Sequence, residues 1–335
     1  MKNVSLLSIA AGVTSLACLV SPLTAKAQTV NPAEQVDALE GLAGKHPTFR
    51  RAQAKGLCAS GYFTGDAAAR ALSSASVFSG KKIPVIARFS VGGGNPKASD
   101  KSKTPRGMAL QFTLPNGEQW MTANISTPVY FVAKAEQFVP FLQARTADPA
   151  TGKPDPVKLK AFNDANPETL LQAAYLASTP VPASFGSVNY FGINAFELIN
   201  DKGASQFVRW QFVPEANVGL TEDQMKTQPD TFLADELRAR VAAAPVTFTF
   251  TLQLADKSDQ LIDPTKVWPE GRRVVSAGKL VIDKVEPGAG GACDGITFNP
   301  LNLPTGIKPS ADPVLLARPA AYGVSLGRRV SEMAK

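Results

Sequence analysis

Arg318 and Tyr322 are the two side chains whose types and spacing most directly suggest chemistry, because they lie four residues apart. On a helix, residues at this spacing are neighbours, and a guanidinium beside a phenol favours the phenolate form. Phenolate is the form that binds ferric iron. The same spacing also suits a surface arginine beside a packed tyrosine, and Pro319 counts against a regular helix because it lacks an N–H donor. Spacing alone leaves both interpretations open.

The composition excludes several other kinds of site. Of the 335 residues, 44% are hydrophobic and 19% are charged, with a formal charge of +7, and these values exclude a largely disordered chain. His46 is the only histidine, which excludes a histidine-rich zinc site and any mechanism that needs two imidazoles. The glycines at 92–94 lack the Gly-Lys-Ser/Thr ending of a phosphate-binding loop, so no nucleotide site is predicted.

The N-terminal residues predict export. Lys2 is followed by an apolar run at 4–20 and by the small-residue site Ala25-Lys26-Ala27, which is typical of a secretory signal peptide. We therefore expect residues 1–27 to be cleaved, with no membrane span afterwards and a periplasmic or secreted location. A retained membrane anchor is the alternative. The densest basic stretch of the remaining chain, at 97–106, has no interleaved aromatic side chains, so we expect no nucleic-acid partner.

Two cysteines, Cys58 and Cys293, remain after cleavage. Disulfides persist in exported proteins, and two thiols allow one intramolecular pairing. We therefore predict a Cys58–Cys293 disulfide, with two buried free thiols as the alternative.

Alternation of apolar and polar residues predicts an antiparallel sheet. Along 83–91 the pattern places Arg88 and Ser90 on one face, and along 246–254 apolar residues alternate with threonine and glutamine. Further strands are expected at 108–114, 129–132, 206–213 and 280–285, a hairpin turn at 115–117, helices at 136–145 and 167–177, and a linker or arm at 28–45. The order of strands, helices and strands predicts an α+β fold around one antiparallel barrel.

Several separated motifs, in order along the chain, together resemble the monofunctional haem catalases, and most closely their short branch, the catalase-related peroxidases. The resemblance implies an eight-stranded antiparallel β-barrel with flanking helices in one catalase-like haem-binding domain at 46–335. The motifs are Arg50 to Gly56 with Gly61-Tyr62-Phe63, Arg88-Phe89-Ser90, Pro105 to Ala109, Thr127 to Phe131, Phe298 to Leu301, Gly306-Ile307 with Ser310, and Arg318 to Tyr322.

The resemblance also implies a haem b cofactor and assigns residues to it. Tyr322 matches the axial ligand of the haem iron, and Arg318 matches the arginine that keeps this tyrosine ionised. Arg50 and Arg88 match arginines that pair with the haem propionates, since a guanidinium can bind a carboxylate through two hydrogen bonds. Phe138 matches a phenyl ring that packs on the porphyrin.

The distal side, where the peroxide binds, departs from the family motif. The family has His-Ala-Lys-Gly where this chain begins with Gln53, and Ser90 matches the hydroxyl that supports the missing histidine. His46 lies in a His-Pro pair that we expect in the arm. The family's distal asparagine aligns with Ile125, so Asn124 is the candidate if a β-bulge brings it into place.

The function implied by the resemblance is a haem-dependent peroxidase that uses hydrogen peroxide or organic hydroperoxides and a small-molecule electron donor. Glutamine can hydrogen-bond a peroxide but cannot titrate, so we expect Gln53 to weaken the activity. The alternatives are a non-catalytic periplasmic haem carrier or sensor, a haem-dependent rearrangement of an organic hydroperoxide, and a barrel that binds no haem.

Overall fold

The fold is described by a computed structural model that covers Met1 and residues 30–286 and 291–334. Most of the predicted signal peptide, residues 2–27, lies outside the described residues. The strands are β1 (Gly56–Gly65), β2 (Lys82–Val91), β3 (Arg106–Thr113), β4 (Gln119–Ile125), β5 (Tyr190–Phe191), β6 (Phe196–Ile199), β7 (Ser205–Pro214), β8 (Val246–Leu254), β9 (Val274–Val285) and β10 (Ile307–Pro309). The α-helices are α1 (Pro32–Ala43), α2 (Ala67–Leu72), α3 (Phe138–Arg145), α4 (Pro156–Ala165), α5 (Leu171–Ser178), α6 (Glu222–Thr227), α7 (Phe232–Ala243) and α8 (Pro313–Met333).

The strands form one antiparallel sheet that closes on itself. Its order is β10-β6-β7-β5-β4-β3-β2-β1-β9-β8, and the additional pairing of β7 with β8 completes a ring of eight strands. The short strands β6 and β10 extend from β7 outside this ring. The predicted eight-stranded barrel is therefore confirmed, and closure removes the unpaired edges within that ring.

The barrel interior is filled with aromatic side chains because the inward positions of the strands are apolar. Phe63, Phe112 and Phe250 are fully buried, and the Phe63 ring lies 5.5 Å from Phe112 and 5.6 Å from Phe250 between centroids. Trp120 stacks on Phe112 with 4.6 Å between ring centroids. This packing occupies the barrel interior with protein side chains, so a ligand site is expected elsewhere.

Helix α8 is regular over 21 residues in spite of Pro319. The Asp312 side chain accepts hydrogen bonds from the backbone N–H groups of Val314 and Leu315, which satisfies donors that a helix start leaves free. Pro319 removes a single N–H donor from the interior, and the cap together with packing on α1 holds the remaining turns. The sequence argument against a helix here was wrong, and Arg318 and Tyr322 are helical neighbours.

The segment expected to be a linker or arm contains helix α1. Asn31 accepts a hydrogen bond from Ala33 N at its start and Pro32 occupies the first turn, which are local signals for a helix. Arg328 of α8 bonds to Asp37 at 2.6 Å and to Glu40 at 3.1 Å. These ion pairs fix α1 against α8, so this part of the chain belongs to the folded domain.

One predicted strand is absent from the described structure. Residues 129–132 form bends between β4 and α3 instead of pairing with the sheet. The segment is held by side chains, since the hydroxyl of Thr127 donates to Val129 O at 2.9 Å and Nε2 of Gln172 donates to the same oxygen at 3.0 Å. An apolar run of this length is as compatible with a buried loop as with a strand. The other predicted strands are present to within a few residues.

Candidate active site

A cavity lies between the barrel wall and helices α1 and α8. About 1320 Å³ of space between protein atoms lies within it, a volume that includes open solvent. Its walls come from β2, β3 and β4, from residues 50–53 and from one face of α8. Most of the lining is apolar. The titratable side chains that reach it are five arginines and two tyrosines.

The Arg318–Tyr322 pair forms one wall of this cavity. Arg318 donates to the Tyr322 hydroxyl oxygen from Nε at 3.0 Å and from Nη2 at 2.7 Å, and from Nη1 to Asn194 Oδ1 at 3.3 Å. Asn194 in turn donates to Asp312 at 2.7 Å. Burial lowers the pKa of Arg318, but the charges of Tyr322 and Tyr130 and the bond to Tyr322 outweigh it and raise this pKa overall. A permanent cation therefore faces the phenol oxygen at hydrogen-bond distance.

Three arginines converge at one end of the cavity. Burial lowers the pKa of Arg88 to about 9 and of Arg50 to about 10, and it also lowers the pKa of Arg329. Asp294 is the one carboxylate whose charge is felt by all three within the described residues. Among the described residues, the buried Nε atoms of Arg88 and Arg329 have no hydrogen-bond partner. The positive charge of the three arginines exceeds the negative charge of Asp294, and two of their Nε donors are unused. This end of the cavity is therefore suited to bind an anion.

The Cys58–Cys293 disulfide fixes the segment that supports this end. It joins β1 to the segment that precedes the cavity-lining residues 297–298. Arg50 Nη2 donates to the carbonyl oxygens of Cys293 and Asp294, both at 3.1 Å, and of Ile296 at 2.8 Å. The predicted disulfide is confirmed, and it holds the acceptors that orient one of the three arginines.

Gln53 faces the cavity from the opposite wall in a strained conformation. Its φ angle is +54°, which is uncommon for a residue other than glycine, and strain of this kind occurs at functional sites. Arg88 holds the backbone by donating to the carbonyls of Gln53 at 2.8 Å and Ala54 at 3.2 Å. Ser90 donates to Gln53 Oε1 at 3.0 Å, and a Cβ on Gly107 would approach Ser90 Oγ to 2.6 Å. Within residues 30–286 and 291–334 the Nε2 amide of Gln53 has no hydrogen-bond partner, so its hydrogens are left for a ligand.

Asn124 lines the cavity, but the amide atoms of its side chain are committed to hydrogen bonds with neighbouring strands. Its Nδ2 donates to Met108 O and Thr122 Oγ1, both at 2.9 Å, and its Oδ1 accepts from Trp210 Nε1 at 2.8 Å. The pairing of β3 with β4 runs without a shift in register, so the bulge that would move Asn124 is absent. Ile125, the next residue, lines the cavity with an apolar side chain. The catalytic role of Asn124 stays a prediction, and these hydrogen bonds do not favour it.

The remaining candidates divide between the cavity and the surface. Phe138 lines the cavity at the start of α3, with its ring centroid 5.5 Å from that of Phe131. His46 does not line it, and its Nε2 lies 3.1 Å from Ala43 O at the end of α1.

Two cavity residues, Arg329 and Tyr130, were missed by the sequence reasoning. A signal for Arg329 was present, because it follows Tyr322 by seven residues, the spacing of one helix face. Tyr130 was visible only as part of a motif.

These observations define a class of site. The apolar cavity suits a flat, largely apolar group. The phenol oxygen held by a buried guanidinium suits a metal at the centre of that group, and the end with several arginines suits carboxylates at its edge. A haem has this character, and the unused Nε donors of Arg88 and Arg329 fit its carboxylates. The residues present therefore fit a haem with a tyrosine ligand.

The sequence comparisons agree with this class. The profile described as Catalase matches residues 36–334, so the chain belongs to the catalase family, and it is an oxidoreductase of the haem peroxidase kind. A catalase-related peroxidase of Synechococcus elongatus is 42% identical over 301 residues, covering 90% of this chain and 89% of its own. A catalase-related peroxidase of Mycolicibacterium paratuberculosis is 32% identical over 302 residues, covering 90% and 95%. The predicted resemblance is confirmed.

Solved structures show the same fold. Catalase A of Saccharomyces cerevisiae matches with a TM-score of 0.76 and 25% sequence identity. The match covers 85% of this chain and 62% of the catalase chain. A fungal catalase has a TM-score of 0.77 and 22% identity, with 85% and 60% coverage. No helix within residues 30–286 and 291–334 combines the length and apolar character that a membrane crossing requires.

Proposed function

We propose that this protein is a haem b peroxidase that uses hydrogen peroxide or organic hydroperoxides to oxidise a small-molecule electron donor, with Tyr322 as the axial ligand of the iron. The observation that carries the proposal is the paired donation of Arg318 to the Tyr322 oxygen, at 3.0 and 2.7 Å, on the cavity wall. The names of the two relatives at 42% and 32% identity support the reaction class.

Different side chains of the cavity would hold different parts of the cofactor. Arg50, Arg88 and Arg329 would bind the propionates, because their charge exceeds that of the neighbouring Asp294. Phe138 would pack its ring on the macrocycle. Tyr322 would bind the iron from the α8 side, and Arg318 would keep the Tyr322 oxygen ionised.

Bound haem supplies the redox chemistry with the peroxide. Gln53 donates a hydrogen bond from Nε2 to a peroxide oxygen and so orients it, while Ser90 fixes the amide through Oε1. Gln53 has no titratable group, so it cannot take a proton from one peroxide oxygen and return it to the other. General acid–base help of this kind is typically worth about 10²–10⁴ in rate. We therefore expect slow turnover with hydrogen peroxide.

A non-catalytic haem carrier or sensor is the second candidate. The observation that favours it is again Gln53, since a neutral amide above the iron can stabilise a bound ligand without moving protons. The Arg318–Tyr322 pair suits both functions equally, because each requires the haem to be held.

The absorption spectrum and haem content of the purified protein test the proposal. We expect a ferric haem spectrum, and we expect Tyr322→Phe, which keeps the ring but removes the ligating oxygen, to lose haem or to change that spectrum. Turnover with hydrogen peroxide and with an alkyl hydroperoxide then separates the two candidates. Wild-type and Tyr322→Phe proteins with equal haem content and identical spectra would contradict the ligand assignment. A haem-loaded wild type that consumes neither peroxide would favour the carrier.

We further propose that the protein is exported to the periplasm or the medium after cleavage following residue 27. The signal-like residues 2–27 and the Cys58–Cys293 disulfide support this location. N-terminal sequencing of the protein from the periplasm and the medium is the test. A mature chain that still begins at Met1 would contradict it.

A further inference from the structure

The chain contains three tryptophans, and their indole groups have different surroundings. Trp210, on β7, is buried, and its Nε1–H donates to Asn124 Oδ1 at 2.8 Å. Trp120, on β4, is fully buried, and its Nε1 has no hydrogen-bond partner among the described residues. Trp268 lies on the loop between β8 and β9, with the guanidinium of Arg209 4.7 Å from its ring centroid. The same side-chain chemistry is therefore placed in three different environments.

Trp210 is connected to the cavity through a single side chain. Asn124, which accepts its hydrogen bond, lines the cavity, and so does Met108, whose carbonyl oxygen accepts from Asn124 Nδ2 at 2.9 Å. In the part of the chain that the structure describes, neither Trp120 nor Trp268 makes a side-chain hydrogen bond to a residue of the cavity lining. Trp210 is thus the tryptophan with a direct link to a bound cofactor.

The surroundings of Trp210 favour a positive charge on its ring. Phe196 stacks on it, with 4.2 Å between the centroids and 21° between the ring planes, and an aromatic face attracts a cation. The amide oxygen of Asn124, which carries partial negative charge, faces Nε1. A positive charge on Trp268 would instead face the guanidinium of Arg209, and like charges repel. Loss of one electron is therefore easier from Trp210 than from Trp268.

The tyrosines of the cavity and the barrel are poorer sources of an electron. A phenol that loses an electron also gives up its proton, and burial raises the pKa of Tyr130 and of Tyr190, so each holds its proton firmly. The oxygen of Tyr322 accepts two hydrogen bonds from Arg318 and is the proposed ligand of the iron. An indole can lose an electron and keep its N–H proton, so Trp210 does not have this restriction.

We propose that Trp210 is an internal electron donor, which passes one electron across Asn124 to haem that a peroxide has oxidised and becomes a tryptophan cation radical. This inference rests on the proposed function, which supplies the oxidant. The step moves one electron and no atom: Trp210 is oxidised and the haem is reduced. The Nε1 proton stays on the indole, because the amide oxygen of Asn124 accepts a hydrogen bond but does not titrate. One oxidising equivalent thereby leaves the cavity for the barrel interior when no external donor is present.

Electron paramagnetic resonance after rapid freezing tests this inference. Haem-loaded protein, labelled with ring-deuterated tryptophan or ring-deuterated tyrosine, is mixed with hydrogen peroxide or cumene hydroperoxide without an electron donor. We expect a radical signal that narrows with deuterated tryptophan and is unchanged with deuterated tyrosine. Trp210→Phe keeps an aromatic ring in the barrel and should lose this signal at unchanged haem content. Trp268→Phe is the matched control and should keep it.

Peptide mass spectrometry of the same wild-type samples is a second measurement, and it does not depend on the folding of a variant. Dioxygen adds to indole radicals, so bound oxygen should accumulate at Trp210 with successive turnovers, and Trp268 should stay unmodified.

The outcomes separate this inference from the proposed function. A radical on tyrosine, a tryptophan signal that persists in Trp210→Phe, oxygen added at Trp268 and not at Trp210, or no radical in a haem-loaded wild type that consumes peroxide would overturn the inference alone. A wild type that binds no haem, or that binds haem and consumes neither peroxide, would overturn both.

Discussion

The two facing walls of the cavity are built in different ways. The Tyr322 wall lies on the regular helix α8, and its phenol oxygen is the end of a chain of hydrogen bonds that begins at Asp312 and passes through Asn194 and Arg318. The Gln53 wall lies on a short segment before β1, with a left-handed backbone and a side chain that cannot titrate. By the resemblance, the first wall keeps the residues that would hold a haem and the second lacks the histidine of the family motif. We therefore expect cofactor binding and peroxide activation to be separable in this chain.

The largest expected effect comes from the disulfide, which supports the arginine end next to the Gln53 wall. Replacing Cys58 and Cys293 together by serine opens a loop of 235 residues. In the chain-entropy account this lowers the free energy of unfolding by about 5.5 kcal/mol, and it loosens the carbonyls that orient Arg50. Urea unfolding of the oxidised wild type and the double variant measures the difference.

The control for this experiment is the wild type after reduction, which should approach the double variant. The spectrum of bound haem should keep its character, because the Tyr322 wall is untouched, while haem is released faster. Equal free energies of unfolding in the oxidised wild type and the variant would show that the bridge does not stabilise the fold.

The next effect concerns the Tyr322 wall. Arg318→Ala removes both donors from the Tyr322 oxygen, and charge-assisted hydrogen bonds are worth about 1.5–3 kcal/mol each. We expect haem affinity to fall by about a hundred-fold. The rate of haem transfer to an excess of an apo-globin measures this loss. Arg318→Lys keeps the charge without the two-pronged geometry and should lie between the two. Lysine and alanine variants that both retain haem like the wild type would mean that the pair does not govern binding.

The smallest effect is expected at Ser90, which fixes the Gln53 side chain. Ser90→Ala removes one neutral hydrogen bond of about 1 kcal/mol, so the amide becomes less well oriented and the peroxide reaction should slow by about five-fold. Haem content should not change. His46→Ala serves as the comparison, because His46 lies outside the cavity lining and should leave the rate as it is. If the peroxide reaction were slower in His46→Ala and unchanged in Ser90→Ala, the peroxide-binding group would lie elsewhere.

Much of the fold could be predicted from the sequence because strands such as β8 alternate between apolar and polar residues. Along β8, Phe248 and Phe250 are fully buried while Thr249 between them is exposed. The two-residue alternation of the sequence therefore agrees with the burial of the side chains. The short segment 129–132 gave no such pattern, and its side-chain hydrogen bonds to Thr127 and Gln172 decide its conformation. Helix α1 was missed although its cap at Asn31 and Pro32 is a local signal.

The candidate site was predicted where motifs specify it and not where three-dimensional contacts do. Tyr322, Arg318, Arg88 and Gln53 reach one cavity as the motifs imply. The environment of Asn124 could not be read from the chain, because Trp210, which binds its amide oxygen, is 86 residues away.

The central claim is that the peroxide reaction is limited by the missing titratable group at position 53. The direct test is a stopped-flow comparison of haem-loaded wild type and Gln53→His with hydrogen peroxide, followed through the haem absorption. A histidine there should be neutral near pH 7, because burial disfavours the imidazolium. The account predicts that Gln53→His reacts about ten-fold faster or more, with unchanged haem content. A Gln53→His rate equal to or below that of the wild type, at equal haem content, would contradict it.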